Sequence, residues 1–453
     1  MARDLTKGSL TKNLLFMSLP TMFGFLSQTL YDIVDIAWIG RLSPGAVASV
    51  TIFSSIFWLA EILNEIIGTS SVSLISQSYG AKNLVRASRA VEQTLAFKAF
   101  VATIAALFLL LFIKPILGFF APDASVTQKA LEYGYIRIFF LPIMFSSYSV
   151  NTALRCIGDA KTPMVIMFVA SITNMILDPI FMFQTVPFLG FPGLNLGIFG
   201  AGLATVISTS LAFCLGFWVL FSGKSELKLS FRGLFRLDKE LDRKLITIGL
   251  PTGFEMLFRN LSGLVLLKFV AGFGTAVVAT MGIGQRLMGF AFMPLIGLLM
   301  GGSTVAGQNL GVDKVDRVQK TAWITATTGM VLMLVFVFFI VLFPENIMRI
   351  FVQDQEVIRL GIPMLRIVFP SFIILGFSFG FGTVFSASGL NTPFLISSVI
   401  SRWLVQVPLL ALFIGLWKLP EWSLWVAFCV AESLEGCIII WFYSRGKWKT
   451  KRV

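Results

Sequence analysis

SLPTMFGF, residues 18–25, returns as GLPTGFEM at 249–256, an offset of 231. The same offset carries Gln77 onto Gln308 and Gly80 onto Gly311. Further along, GDAKTP (158–163) matches GLNTP (389–393), and Tyr-Ile-Arg-Ile at 135–138 faces Leu-Arg-Ile at 365–367. Shared Pro, Gln, Gly and Arg at a nearly constant offset mark an internal duplication, which is a fold-level signal.

Around this frame the chain is apolar. Of 453 residues, 56% are hydrophobic and 13% charged, about half the ~25% charged of an ordinary soluble domain. That composition excludes a soluble enzyme, a disordered chain and a collagen-like or disulfide-rich scaffold. A helix crosses a bilayer in about 20 apolar residues. Segmenting at charge and Pro/Gly clusters predicts twelve spans: 14–39, 46–76, 92–120, 130–154, 163–185 and 196–221, then 243–271, 277–305, 318–343, 357–386, 392–418 and 422–444. The expected fold is an all-α polytopic membrane protein, with twelve transmembrane helices in two six-helix lobes related by the duplication. The domains are 1–221 (N-lobe, ion-coupling), a cytoplasmic linker 222–244, and 245–453 (C-lobe). Six spans per copy make the repeats parallel, with a cavity expected between them, the architecture of an alternating-access transporter. The linker, with seven Lys and Arg, is expected to form a short amphipathic surface helix.

Twenty-three Lys and Arg fall in loops on one side of this arrangement and six on the other. The asymmetry predicts cytoplasmic termini in a cell membrane and explains the net charge of +13 without nucleic acid. The N-terminal segment has no small-residue cleavage site and reads as a retained first span. Cys156, Cys214, Cys429 and Cys437 lack metal-ligand spacing and read as free thiols. There is no His and no P-loop motif. Energy is therefore expected from an ion gradient, and no enzyme activity or cofactor is expected.

Ionisable groups inside a membrane are costly and are functional candidates by default. Asp35 stands in QTLYDIVDIAWIG, where Gln28, Tyr31 or Asp32, and Asp35 recur at helical spacing as a polar stripe. Asp178 stands in ITNMILDPIF, with Asn174 one turn earlier on the same face. Asn151 and Tyr148 on span 4, with Tyr133 and Tyr135 nearer its start, supply amide and hydroxyl groups to the same lobe. Two carboxylates in low dielectric cannot both stay ionised cheaply, which suits a proton carrier. The same oxygens with Asn174 could coordinate Na⁺ instead. Glu61 and Glu65 either flank a polar path or mark a water-facing helix end, and Glu432 and Glu435 carry the same ambiguity. Lys98 and Lys268 are expected to snorkel, and Arg137 and Arg366 to make structural pairs or caps. Glu255, Arg259, Arg286 and Arg402 are expected to satisfy one another's charge. Pro20 sits inside span 1, where it frees a carbonyl and permits a kink. The duplication carries Asp35 onto Leu266 and Asp178 onto Val407 or Pro408, so the two halves do not share these acids.

In order along the chain, LPT in spans 1 and 7, LYDIVDIAWIG, SQSYGAKN, YIRI, ALRCIGDAKTPM, NMILDPIF and AGQNLG resemble the MATE (multidrug and toxic compound extrusion) family, in its DinF-like prokaryotic branch. The resemblance covers nearly the whole chain. It implies twelve helices in two lobes and antiport of H⁺ or Na⁺ against small organic, often cationic, compounds, by a monomer in the lipid bilayer. It further implies an N-lobe cation site at Asp35 and Asp178 with Asn174 alongside, Tyr133 and Asn151 as further polar residues of that lobe, and Pro20 as a hinge of span 1. Asp32 departs from relatives that often carry Asn, which leaves open which span 1 acid is primary. A flippase for lipids or lipid-linked precursors is the alternative within the superfamily. A channel or sensor is the rival outside it.

Overall fold

The computed structural model describes residues 3–120, 123–188, 190–223 and 225–453. Lys224, one of the seven bases of the central linker, lies outside them.

The first half runs α1 (Leu10–Leu42), α2 (Pro44–Gly80), α3 (Leu84–Phe120), α4 (Ala124–Phe139), α5 (Leu141–Cys156), α6 (Lys161–Met182) and α7 (Gly197–Phe221). The second runs α8 (Lys239–Ala271), α9 (Thr275–Gly311), α10 (Val315–Leu342), α11 (Pro344–Phe351), α12 (Gln355–Val368), α13 (Ser371–Ser388), α14 (Thr392–Leu416) and α15 (Trp422–Ser444). Among the described residues nine helices are long and apolar enough to cross a membrane. The 33-residue α1 and α8 and the α4–α5 pair complete twelve crossings, six per half. Within α14, Val399–Gln406 and Ala411–Leu416 are wound as π-helix.

Sequence explains the element edges. Ser43 accepts the Ala46 N–H with Pro44 in the first turn of α2, and Asp123 accepts the Val126 N–H at the start of α4. The fourth and tenth spans, each expected as one helix, are broken in two. One break falls at Phe140, just before Pro142, and the other at Phe369 and Pro370, where the missing proline N–H interrupts the ladder. The linker is not an amphipathic helix. Its described residues before α8 begins at Lys239 form turns and bends with one 3₁₀ turn, Gly233–Phe235.

The duplication is visible in three dimensions. α1 and α8 have the same length, and α2 and α9 are both 37 residues long. Ser49 Oγ donates to the Val126 carbonyl at 3.0 Å. Its repeat partner Thr280 donates from Oγ1 to the Val357 carbonyl at 3.4 Å. After α2 and α9, Lys82 and Asp313 hold the same left-handed turn, with φ of 60° and 54°.

The chain divides into two compact units. Unit 1 contains residues 1–4 and 23–247, and unit 2 contains 5–22 and 248–453. The linker therefore groups with unit 1, and the first part of α1 with unit 2. The core of unit 1 gathers Phe53, Phe57, Tyr133, Leu141 and Phe145. In unit 2, α10 and α13 meet backbone to backbone: a Cβ on Gly380 would collide with Ala326, and one on Gly329 with the Gly376 carbonyl. Small residues permit this approach, as in other membrane helix pairs.

Candidate functional site

In unit 1, helical spacing puts Asn174 and Asp178 on one face of α6, where both are buried, at 1% and 0% exposure. The Asn174 amide donates to Asp178 Oδ1 at 3.4 Å. α1 lies against this face: Ser171 Oγ meets Ser27 Oγ at 3.5 Å, and a Cβ on Gly24 would stand 3.0 Å from the Met167 sulfur. Eight residues beyond Ser27, buried Asp35 brings its carboxyl within hydrogen-bonding range of Asp178. Asp35 Oδ1, Asp178 Oδ2 and Asn174 Oδ1 are all buried acceptors without a hydrogen-bond donor. Buried acceptors are normally satisfied. Three such acceptors on two facing helices mark this face of α6 as a candidate polar site.

α4 supplies the wall. Tyr133 is buried, and its hydroxyl accepts from the Arg137 guanidinium. That guanidinium stacks 4.9 Å from the Phe57 ring centroid and acts electrostatically on Asp32, Asp35 and Glu61. Phe53 meets Tyr133 edge-on at 5.5 Å and leaves no room for a Cβ on Gly134. Arg137, expected as a structural pair or cap, is thus the positive charge of the acidic site. Asp32 and Gln28 are exposed, with Tyr31 half-buried, so the stripe divides by burial and only Asp35 meets Asp178. Tyr135 is 40% exposed, which leaves Tyr133 as the tyrosine of the site. Asn151, on α5, has an unpartnered Oδ1, and no hydrogen bond among the described residues joins it to the aspartates. Pro20 belongs to unit 2, and α1 stays helical through it.

A second polar cluster lies between α2, α3 and α5. Glu61 accepts from Asn64 at 2.8 Å, and Glu65 and Tyr148 act on each other electrostatically. Lys98 does not snorkel. It is 0% exposed, its ammonium sits 4.6 Å from the Tyr148 ring centroid, and it acts electrostatically on both glutamates without a hydrogen bond of its own. Its place near the start of span 3 suggested a route to water. The helix in fact begins at Leu84, which puts Lys98 four turns inside.

In unit 2 the charges compensate. Arg259 binds Glu255 at 2.6 Å and also Glu435. Arg402 binds Glu432 at 2.6 Å and Glu435 at 3.4 Å. Mutual satisfaction was expected for Glu255, Arg259 and Arg402. The acids that complete it, Glu432 and Glu435, are buried rather than at a water-facing helix end. The i, i+3 spacing in AESLEG, opposite an arginine in mid-span, was the available signal. Arg286 and Lys268 are exposed.

A helical membrane protein of two matched halves, with buried carboxylates facing each other in one of them, has the build of a transporter. The chain belongs to the MatE family, whose profile matches residues 20–180 and 251–412, once in each repeat. It is 28% identical to the probable multidrug resistance protein YoeA of Bacillus subtilis, over 99% of this chain and 96% of that one. It is 25% identical to the multidrug export protein MepA of Staphylococcus saprophyticus, over 96% of this chain and 94% of that one. A multidrug resistance MATE family transporter solved in an outward-facing conformation superposes with a TM-score of 0.89, at 22% identity over 99% of this chain and 98% of the other. A MOP superfamily transporter from Pyrococcus furiosus gives 0.88, at 22% identity over 98% and 97%. At that identity the likeness establishes the fold.

Proposed function

We propose that the protein is a multidrug exporter of the cell membrane that moves small organic, often cationic, compounds outward in exchange for H⁺ or Na⁺, by alternating access and as a monomer. The observation that carries this reading is the Asp35–Asp178 pair. Asp178 is fully buried, faces another carboxyl, and has no ion pair among the described residues, whereas the acids of unit 2 hold arginines. A carboxylate pair of this kind is stable when a proton is shared between the two groups, or when Na⁺ takes Asp35, Asp178 and the Asn174 carbonyl oxygen as ligands. Two carboxylates and an amide suit a monovalent ion, and no group of three or more His, Cys, Asp or Glu stands together among the described residues.

Coupling then follows from charge. With the ion bound, the acids are neutralised and can be enclosed. With the ion gone, they carry net negative charge against Arg137 alone and favour hydration or an organic cation. Glu61, Glu65 and Tyr148 extend the polar surface of the same unit. The names of the similar proteins support multidrug substrates, and the basic linker and termini support cytoplasmic placement of both ends. The test is substrate efflux from proteoliposomes under separately imposed pH and Na⁺ gradients. Efflux driven by one of them supports the proposal, and flux indifferent to both refutes it.

A further inference from the structure

The geometry points to a binding site for the headgroup of an anionic phospholipid in unit 1, where the linker docks on the start of α3. The docking is specific. Tyr79 donates to Glu226 at 2.7 Å, Ser88 Oγ accepts the Lys228 N–H at 3.2 Å, and Glu92 accepts the Ser230 N–H at 2.6 Å. The Gln93 side chain bonds to the Arg236 carbonyl and accepts the Asp238 N–H at 2.9 Å. Gly233 lies directly on the Glu92 carboxylate, which a Cβ there would push aside.

Between the docked linker and α3 lies a cavity of about 670 Å³, lined by Arg89, Lys228, Arg232 and Arg236 together with Glu92 and Glu226. The two acids are engaged by the bonds just described, and Arg89 pairs with Asp238 at 3.3 Å. Lys228, Arg232 and Arg236 are exposed, and none of their side chains has an ion pair or hydrogen bond among the described residues. Three free cations in a preformed recess ask for a multivalent anion such as a phosphate diester.

The neighbouring apolar side chains decide the source. Phe231 packs on Phe221 and Phe217 of the spanning helix α7, at 4.9 and 5.9 Å. This packs the linker against the C-terminal end of the spanning helix α7. Beside it, Phe235 is 88% exposed, Leu237 56% and Val85 82%. A phosphate with cations on one side and apolar side chains on the other belongs to an amphiphile, and clusters of bases beside a spanning helix attract anionic lipid. The Asp35–Asp178 site is not involved.

The test uses the full-length protein in nanodiscs of phosphatidylcholine with graded phosphatidylglycerol, the same in both leaflets, so the outcome does not depend on which face is cytoplasmic. Native mass spectrometry counts retained lipid. The wild type should retain phosphatidylglycerol over phosphatidylcholine, and each of K228Q, R232Q and R236Q should weaken that preference about five-fold. F235S should weaken lipid retention while leaving the cation site intact. Inorganic phosphate at millimolar concentration should fail to displace the lipid. Equal retention of both lipids by the wild type, or an unchanged preference in the folded triple variant, overturns the site. Displacement by inorganic phosphate, with no effect of F235S, overturns the lipid as its ligand.

Discussion

Asp35 on α1 and Asp178 on α6 face each other carboxyl to carboxyl, with the Asn174 amide donating to the second at 3.4 Å. No base is paired with Asp178 among the described residues, so the pair's charge is settled by what enters from outside. The positive charge of Arg137 acts on Asp35 from α4 rather than pairing with Asp178.

Asp178→Asn and Asp35→Asn should each reduce gradient-driven efflux to the level of protein-free liposomes. Each protein should unfold in detergent at or above the wild-type temperature, because a buried charge has been removed. Asp32→Asn, at an exposed position, should keep most activity. Normal efflux by the Asp178 or Asp35 variant would remove that residue from coupling.

Ion and substrate should oppose each other at equilibrium. Raising the coupling ion should weaken substrate binding, by a factor in the range of about 5 to 150, and substrate should weaken ion binding by the same factor. Titration calorimetry across pH and Na⁺ series measures both directions. The linkage should vanish in Asp178→Asn, and wild-type affinity that ignores both ions would rule out the N-lobe mechanism.

Much of this site was legible in the sequence. Asn174 and Asp178 are one turn apart and their shared face follows from helical period alone. The choice between Asp32 and Asp35 was not, because each lies at helical spacing from Gln28 and only packing against α6 separates them. Lys98 was misread for a related reason. Its depth depends on where α3 begins, and the polar first turns of that helix, Leu84 to Gln93, look like loop in a hydropathy profile although they are helical. The twelve-span fold was read correctly from periodicity and loop charge. Proline-linked breaks at Phe140 and Phe369 lie inside continuous apolar runs and left no trace in hydropathy.

Lys98→Met should destabilise the protein by about 3–5 kcal/mol, since it strands Glu61 and Glu65 in the interior. Lys98→Met combined with Glu65→Gln should recover a large part of that loss. Thermal unfolding of the two variants in one detergent decides it. A double variant no more stable than the single would show that the ammonium and Glu65 do not compensate each other.

Gly380→Ala should be severe, costing at least the ~1–3 kcal/mol of an overpacked core, because its Cβ would strike the Ala326 backbone and prise α10 from α13. Gly118→Ala, with open space around it, should be neutral or stabilise by up to about 1 kcal/mol through helix propensity. Comparable losses in both would show that the close approach of the two helices is not what fixes Gly380.

Single cysteines placed at Lys12, Arg232 and Lys449, in a background lacking the four native thiols, should be labelled by impermeant maleimide only after the cytoplasmic face is opened. Labelling of the Arg232 position from outside intact cells would reverse the topology.

The amide of Leu5 is held by the Gln308 side chain, 303 residues away, while Asn309 donates to the Leu5 carbonyl at 3.2 Å and Lys314 to that of Thr6 at 3.0 Å. A segment made before residues 23–247 is thus a component of the later-made unit. On the ribosome, residues 5–22 emerge long before their partners exist, so they must wait at the membrane until α9 and α10 have been synthesised. Unit 2 cannot mature as a product of the second half alone. A nascent chain stalled after the linker would expose this segment, and a quality-control protease could read that exposure as the mark of an unfinished protein.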